Sequence, residues 1–273
     1  MAYIKNFCVE GKSKGYITLF IIFAIIVAFC FMFIFFISGS LQDKNTDTTI
    51  VFVPIIQYIE SVLKESLEES IGILGSNGGL NNFDDLNSIE INLMGIRKNI
   101  SKGICNLEGT PRDCLVPMVQ IEEGLSSFLI TLFFEKLDLE QFEERGFEFE
   151  YSFDTTYAAS FVSEREVFTI FFFDIHVKKG RSEMNNQVFS TRSSSNIGQL
   201  ANISKEIVHY LEQERTIDLH DYHDMNIDIC YISTDNYFRL RHLETHEIFL
   251  FGIDEGLNFL IFGESTPQTT CSK

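Results

Sequence analysis

Between Tyr16 and Ser38 the chain carries no charged residue, and almost every position is Ile, Phe, Leu, Val, Ala or Met. At about 1.5 Å of rise per residue, such a helix covers a hydrocarbon core of roughly 30 Å. A cleaved secretory signal has an apolar core of only about 7–15 residues and a small-residue exit, and neither is found here. A helix of a water-soluble core keeps one polar face, whereas this run is apolar all round. It therefore predicts a transmembrane or pilin-like helix at residues 16–38.

The flanks orient it. Lys5, Lys12 and Lys14 precede the run, while Lys44 comes after it beside Asp43 and Asp47. Positive charge on the near side keeps residues 1–15 in the cytoplasm and exports the chain beyond the helix. The expected organisation is a leader at 1–15, the helix at 16–38, a polar stalk at 39–53 and an exported domain at 54–273. The chain as a whole holds 39 acidic against 21 basic residues. Such a surface repels phosphate backbones, and no basic stripe interrupts it, so nucleic acid is excluded as a partner.

The segment "SKGYITLF" resembles the archaeal class III, type IV prepilin-like leader, in which lysines and a glycine run directly into an apolar helix. The resemblance implies cleavage after Gly15 and a new N-terminus at Tyr16. Tyr16 stands where such leaders often carry Gln, and Phe20 where bacterial pilins carry an acid. An uncleaved signal anchor is the alternative. With "ESIGILGSNGG" and "FEERGFEFE", the chain is also similar to a group of archaeal cell-surface proteins with the same order of pieces, which implies an anchored extracellular role, such as adhesion, and no particular chemistry.

In the exported part, Ile55, Ile59, Val62, Leu63, Leu67, Ile71 and Leu74 recur at spacings of three and four, predicting a helix that opens at Pro54 and ends at Gly75. "GSNGGL" reads as a mobile loop. A second helix is expected from Pro117 to Arg145, with Val119, Leu125, Phe128, Leu129, Leu132 and Phe133 inward, and a third from Ile197 to Glu214. "FEFEYSF" alternates as a strand whose Glu148 and Glu150 face solvent. "EVFTIFFFDIHV" is apolar on both faces and reads as a central strand. "KKGRSEMNNQVFSTRSSSN" reads as a polar, flexible excursion. Strands are expected near 226–232, 236–243, 247–253 and 257–262, the last two joined by a hairpin turn at Gly256. The fold class is α+β, helices packed on antiparallel meanders.

Cys105, Cys114, Cys230 and Cys271 fall in the exported part, an even number in a compartment that permits disulfides. Cys105 and Cys114 bracket a turn at Gly109, Thr110 and Pro111. Cys230, placed on the less apolar face of its strand, is within reach of Cys271. "NIS" makes Asn99 and Asn202 glycan acceptors in an exported protein. His220, His223, His242 and His246 are candidate zinc or copper ligands, the last two sharing a strand face with Glu244. No esterase elbow, H-E-x-x-H, Walker or dinucleotide fingerprint occurs, so no catalytic residue and no cofactor is expected. These readings point to a single-span cell-surface protein that works by binding or assembly, as a pilin-like subunit or as an adhesin or receptor. Its expected partners are the bilayer through 16–38, further copies of itself and other surface proteins. The alternative is an anchored exoplasmic sensor or metal-dependent hydrolase.

Overall fold

The computed structural model describes residues 46–262 apart from 84–86, 94, 215, 220–221, 223–225 and 258. The 16–38 run lies outside them, and among the described residues no helix is long and apolar enough to cross a membrane. The chain divides into two compact units, Met1–Val53 and Pro54–Lys273. The second is α+β, with sheets that are mostly antiparallel.

Helix α1 (Thr46–Ser76) begins well before Pro54, inside the segment expected to be a stalk. From Pro54 on, all seven of its predicted inward positions are buried. The glycines after it are not a mobile loop. The Ser101 hydroxyl donates to the Gly78 carbonyl at 2.7 Å, and the Ser101 N–H donates to the Asn77 carbonyl. Gly78 adopts φ +70°, and a Cβ there would collide with the Leu250 carbonyl and the Ser101 hydroxyl. Glycine is needed here for both conformation and space.

Strands β1 (Ser88–Leu93), β2 (Ile96–Leu107) and β3 (Thr110–Asp113) come next, antiparallel to one another. The β2–β3 turn is Glu108–Gly109, both at positive φ, so Thr110 and Pro111 belong to the strand rather than to the turn. The C-terminal meander β9 (Ile227–Ile232), β10 (Tyr237–His242) and β11 (Ile248–Ile253) joins this group through a parallel contact of β11 with β2. A six-stranded sheet results. Gly103 lets the Phe251 ring lie directly on β2, since a Cβ at that position would strike the ring. Helix α4 (Ile197–Glu214), bounded as predicted, packs against β11, β3, β10 and β2. The expected hairpin at Gly256 is not formed: β12 (Leu260–Phe262) pairs in parallel with β8 (Thr216–Asp218).

Helix α2 (Met118–Lys136) is shorter than its apolar pattern. Asp138 ends it, its carboxylate accepting the Glu140 N–H at 3.0 Å and its own N–H donating to the Tyr58 hydroxyl. An Asp side chain that captures nearby backbone amides competes with helix continuation. The short α3 (Glu140–Glu143) then starts afresh. Val119, expected inward, is exposed, while Ile121, Leu125, Leu129 and Phe133 are buried. Lys136 closes the end of α2 onto α1 through Glu65 and Glu69 at 2.6 and 2.7 Å, and these carboxylates hold its ammonium above the usual lysine range.

The second sheet is built on β6 (Glu166–Lys179). β7 (Ser182–Ser194) lies along one edge, and β4 (Glu148–Tyr151) and β5 (Tyr157–Val162) along the other. The segment expected to be a flexible excursion is thus β7. Its own sequence is polar, and Phe189 is its only buried side chain. Pairing with β6 along nearly its whole length supplies the order that its composition does not signal. One face of this sheet meets α2, where the Phe133 ring lies 4.7 Å from that of Phe171 and 5.2 Å from that of Phe173.

Truncating a ring at such a contact leaves a cavity that rigid neighbours fill poorly. Phe133→Ala should lower the unfolding free energy by about 3–5 kcal/mol, measured by urea denaturation. The Cys105–Cys114 disulfide closes the β2–β3 hairpin, with Cα atoms 5.8 Å apart. Replacing both cysteines by Ser should cost about 2–3 kcal/mol in the same assay, mainly by freeing the unfolded chain.

Candidate docking face

β6 alternates strictly: Val167, Thr169, Phe171, Phe173, Ile175 and Val177 are buried against the α2 side. The opposite side chains, Phe168, Ile170 and Phe172, are also apolar and only partly buried. Register adds Tyr157, Ala159 and Phe161 from β5 and Val188 and Ser190 from β7 to the same outer face. Tyr157, Phe161 and Val188 are 54%, 52% and 51% exposed. The Tyr157 and Phe172 rings stack at 4.1 Å, and those of Phe161 and Phe168 at 6.4 Å. Four residues along a strand span about 13 Å, so the two aromatic pairs stand like low walls on either side of a floor made by Ala159 and Ile170.

Ion pairs frame the apolar strip. Arg192 lies 3.7 Å from Glu166 at one end. At the other, Glu150 meets Lys178 at 3.1 Å and His176 at 3.6 Å, and His176 also meets Glu183. The Lys178 ammonium, and secondarily His176, holds the Glu150 carboxyl below the ordinary glutamate range. That contribution is present above the ordinary glutamate range and is lost as pH falls through the lowered value. On the opposite, inner side of the sheet the Lys179 ammonium lies 4.0 Å from the Phe147 ring centroid and takes no part in this rim. An uncovered apolar patch with a charged rim is the usual surface of an interaction site.

Two concavities elsewhere differ in character. The cavity between Met118, Ile121, Ala201, Lys205 and Phe249 holds about 180 Å³, below the roughly 300 Å³ at which small-molecule sites begin. An open acidic cleft gathers Glu90, Asp235 and Glu255 around a Lys102–Asp254 ion pair of 3.1 Å.

The residues singled out from sequence fall elsewhere. Gly15 and Tyr16 lie outside the described residues, as do Cys271, His220 and His223. Cys230, a disulfide candidate on the less apolar face of its strand, is disulfide-bonded and buried. His242 is buried and His246 exposed; the two do not share a strand face, because β10 ends at His242 and residues 243–245 turn. Nδ1 of His242 accepts the Thr245 N–H at 3.2 Å, which places the ring proton on Nε2 and makes His242 a brace for the turn. Among the described residues no cluster of three metal-ligating side chains occurs. Asn99 and Asn202 are exposed, yet the sequon hydroxyls are not: Ser101 donates to Gly78 and Ser204 to the Leu200 carbonyl, both buried.

Sequence reasoning does not find the outer face itself. Its signal is the doubly apolar run of β6 beside the alternating "YAASFV", but a sequence does not say which face a helix will cover.

A face kept for docking contributes little to folding. Phe161→Ser should cost about 1 kcal/mol in unfolding free energy, the worth of one aromatic pair, against about 3–5 kcal/mol for Phe171→Ala on the buried face. Paired urea melts check the contrast. No protein-family model matches the chain, and no curated protein or solved structure matches it, so the reading of this face rests on its geometry.

Proposed function

We propose that the protein is a single-span cell-surface protein that works by binding or assembly, using the outer face of the β4–β7 sheet to dock. The exposed aromatic strip carries the docking part of the reading, because a chain so rich in charge leaves such a surface uncovered only at a cost in solubility. The charge-free run at 16–38 supports the anchor, and the lysines before it support a cytoplasmic N-terminus with the acidic remainder outside. The absence of a cofactor fingerprint and the shallow, apolar character of the face favour binding over catalysis. Two versions share this scheme: a pilin-like subunit cut after Gly15, and an anchored receptor or adhesin that keeps its leader.

The test uses intact cells and the native chain. The protein should need detergent for extraction, and external protease should remove the acidic domain. Retention in the aqueous fraction, or a protected domain, overturns the proposal. Mass analysis of the N-terminal peptide separates the two versions: Tyr16 marks the processed subunit, Met1 or Ala2 the anchor. With Tyr157→Ser and Phe161→Ser combined, surface assembly or adhesion should fall at least tenfold while expression holds and the melting temperature drops only by the few degrees that two lost aromatic pairs imply.

A further inference from the structure

We propose that two copies of this chain pair antiparallel through the outer edges of β7, about a two-fold axis between Gln187 and Val188. The proposal concerns the strand edge, goes beyond the docking role of the face and does not depend on the anchor.

Among the described residues β7 pairs with β6 alone, so its second edge presents unpaired backbone N–H and C=O groups along Ser182–Ser194. The other sheet-edge strands are shorter, six residues in β1 and β9 and four in β4. Natural edges are blunted by proline, by inward charges or by brevity. β7 has no proline, and no charge lies between Met184 and Thr191.

Its side chains select the partner and the register. Glu183, Asn185 and Gln187 are exposed, then the alternation slips one step, and Val188, Ser190 and Arg192 are exposed. The slip comes from the bulge between Phe172 and Ile175 of β6. The exposure pattern therefore reads the same in both directions from the Gln187–Val188 junction. Only one antiparallel register sets like faces against like along both arms: Glu183 opposite Arg192, Asn185 opposite Ser190, and Gln187 opposite Val188. A shift of two residues either way places an inward residue against an outward one at the axis, and a shift of one mismatches a whole arm. Face and hydrogen-bonding edge alternate together along a strand, so this register also brings matching backbone groups together on both arms.

Charge fits the same register. Glu183 and Arg192 are 71% and 74% exposed at their side chains, and each would meet its opposite on the other copy, twice over. The chain's net charge of −18 opposes association, but charges beyond a Debye length of about 8 Å are largely screened at physiological ionic strength.

The full chain in detergent tests this. In the double variant N185C/S190C, oxidation should produce a covalent dimer at least fivefold above the unsubstituted chain, whose own cysteines set the baseline. Each single variant should stay at baseline, because identical positions on the two copies lie about 16 Å apart along the strands. Equal cross-linking by the singles, or none by the double, overturns the proposal. By sedimentation, E183R and R192E should each weaken the dimer at least fivefold and E183R/R192E should restore it; failure to restore overturns the ionic register. Circular dichroism and melting confirm that each variant is folded. The Tyr157→Ser/Phe161→Ser variant should cross-link unchanged, so loss of face binding and loss of edge pairing are read separately.

Discussion

The arrangement of the β4–β7 sheet depends on one conflict in β6. Strand geometry sends successive side chains to opposite faces, and this strand is apolar on both, while α2 covers only one. The Phe133 ring between Phe171 and Phe173 closes the inner face. The outer face resolves its own apolar surface only in part, by stacking Tyr157 on Phe172 and Phe161 on Phe168. Cross-strand aromatic pairs stabilise a sheet while leaving ring surface available. The inner face therefore belongs to folding, and the outer face holds surplus apolar area.

Long-range partners separate what is legible in the sequence from what is not. The α1 stripe from Ile55 to Leu74 and the full extent of α4 are written as local periodicity, and the structure keeps them. The Cys105–Cys114 bridge is legible because a short turn has to lie between the two residues. β7 is not, since its order comes from β6 rather than from its own polar residues. Asp138 ends α2 by a capture that an apolar periodicity conceals. The parallel seam of β11 on β2 joins segments far apart in the chain, and nothing local announces it. The uncovered face is of the same kind, being defined by where a helix does not pack. His242 shows the converse error, a chemically suggestive residue whose ring is spent on a turn.

Edge and face make different demands. A docking face wants ring area, a charged rim and no backbone involvement, and Tyr157, Phe161 and the ion pairs of Glu150 and Arg192 supply that. An edge wants unpaired amides and a register that rejects slippage. On β7 the alternation slip at Gln187 and Val188 provides the second, since a uniformly alternating strand would accept every two-residue shift. The bulge that produces the slip thus acts on pairing from the neighbouring strand.

Anchoring changes what strength such an edge needs. Two chains free in solution must overcome the loss of translational and rotational freedom before a strand pair contributes anything. If the proposed anchor holds two chains in one bilayer, they would meet at an effective concentration set by the membrane plane, a situation in which modest contacts become sufficient. Edge pairing would also leave the aromatic strips of both copies uncovered and directed to the same side, because a two-fold axis normal to the sheet preserves its faces. A face too shallow to hold a small ligand firmly gains from that duplication, since a partner with repeated apolar surface engages both strips while each contact stays weak.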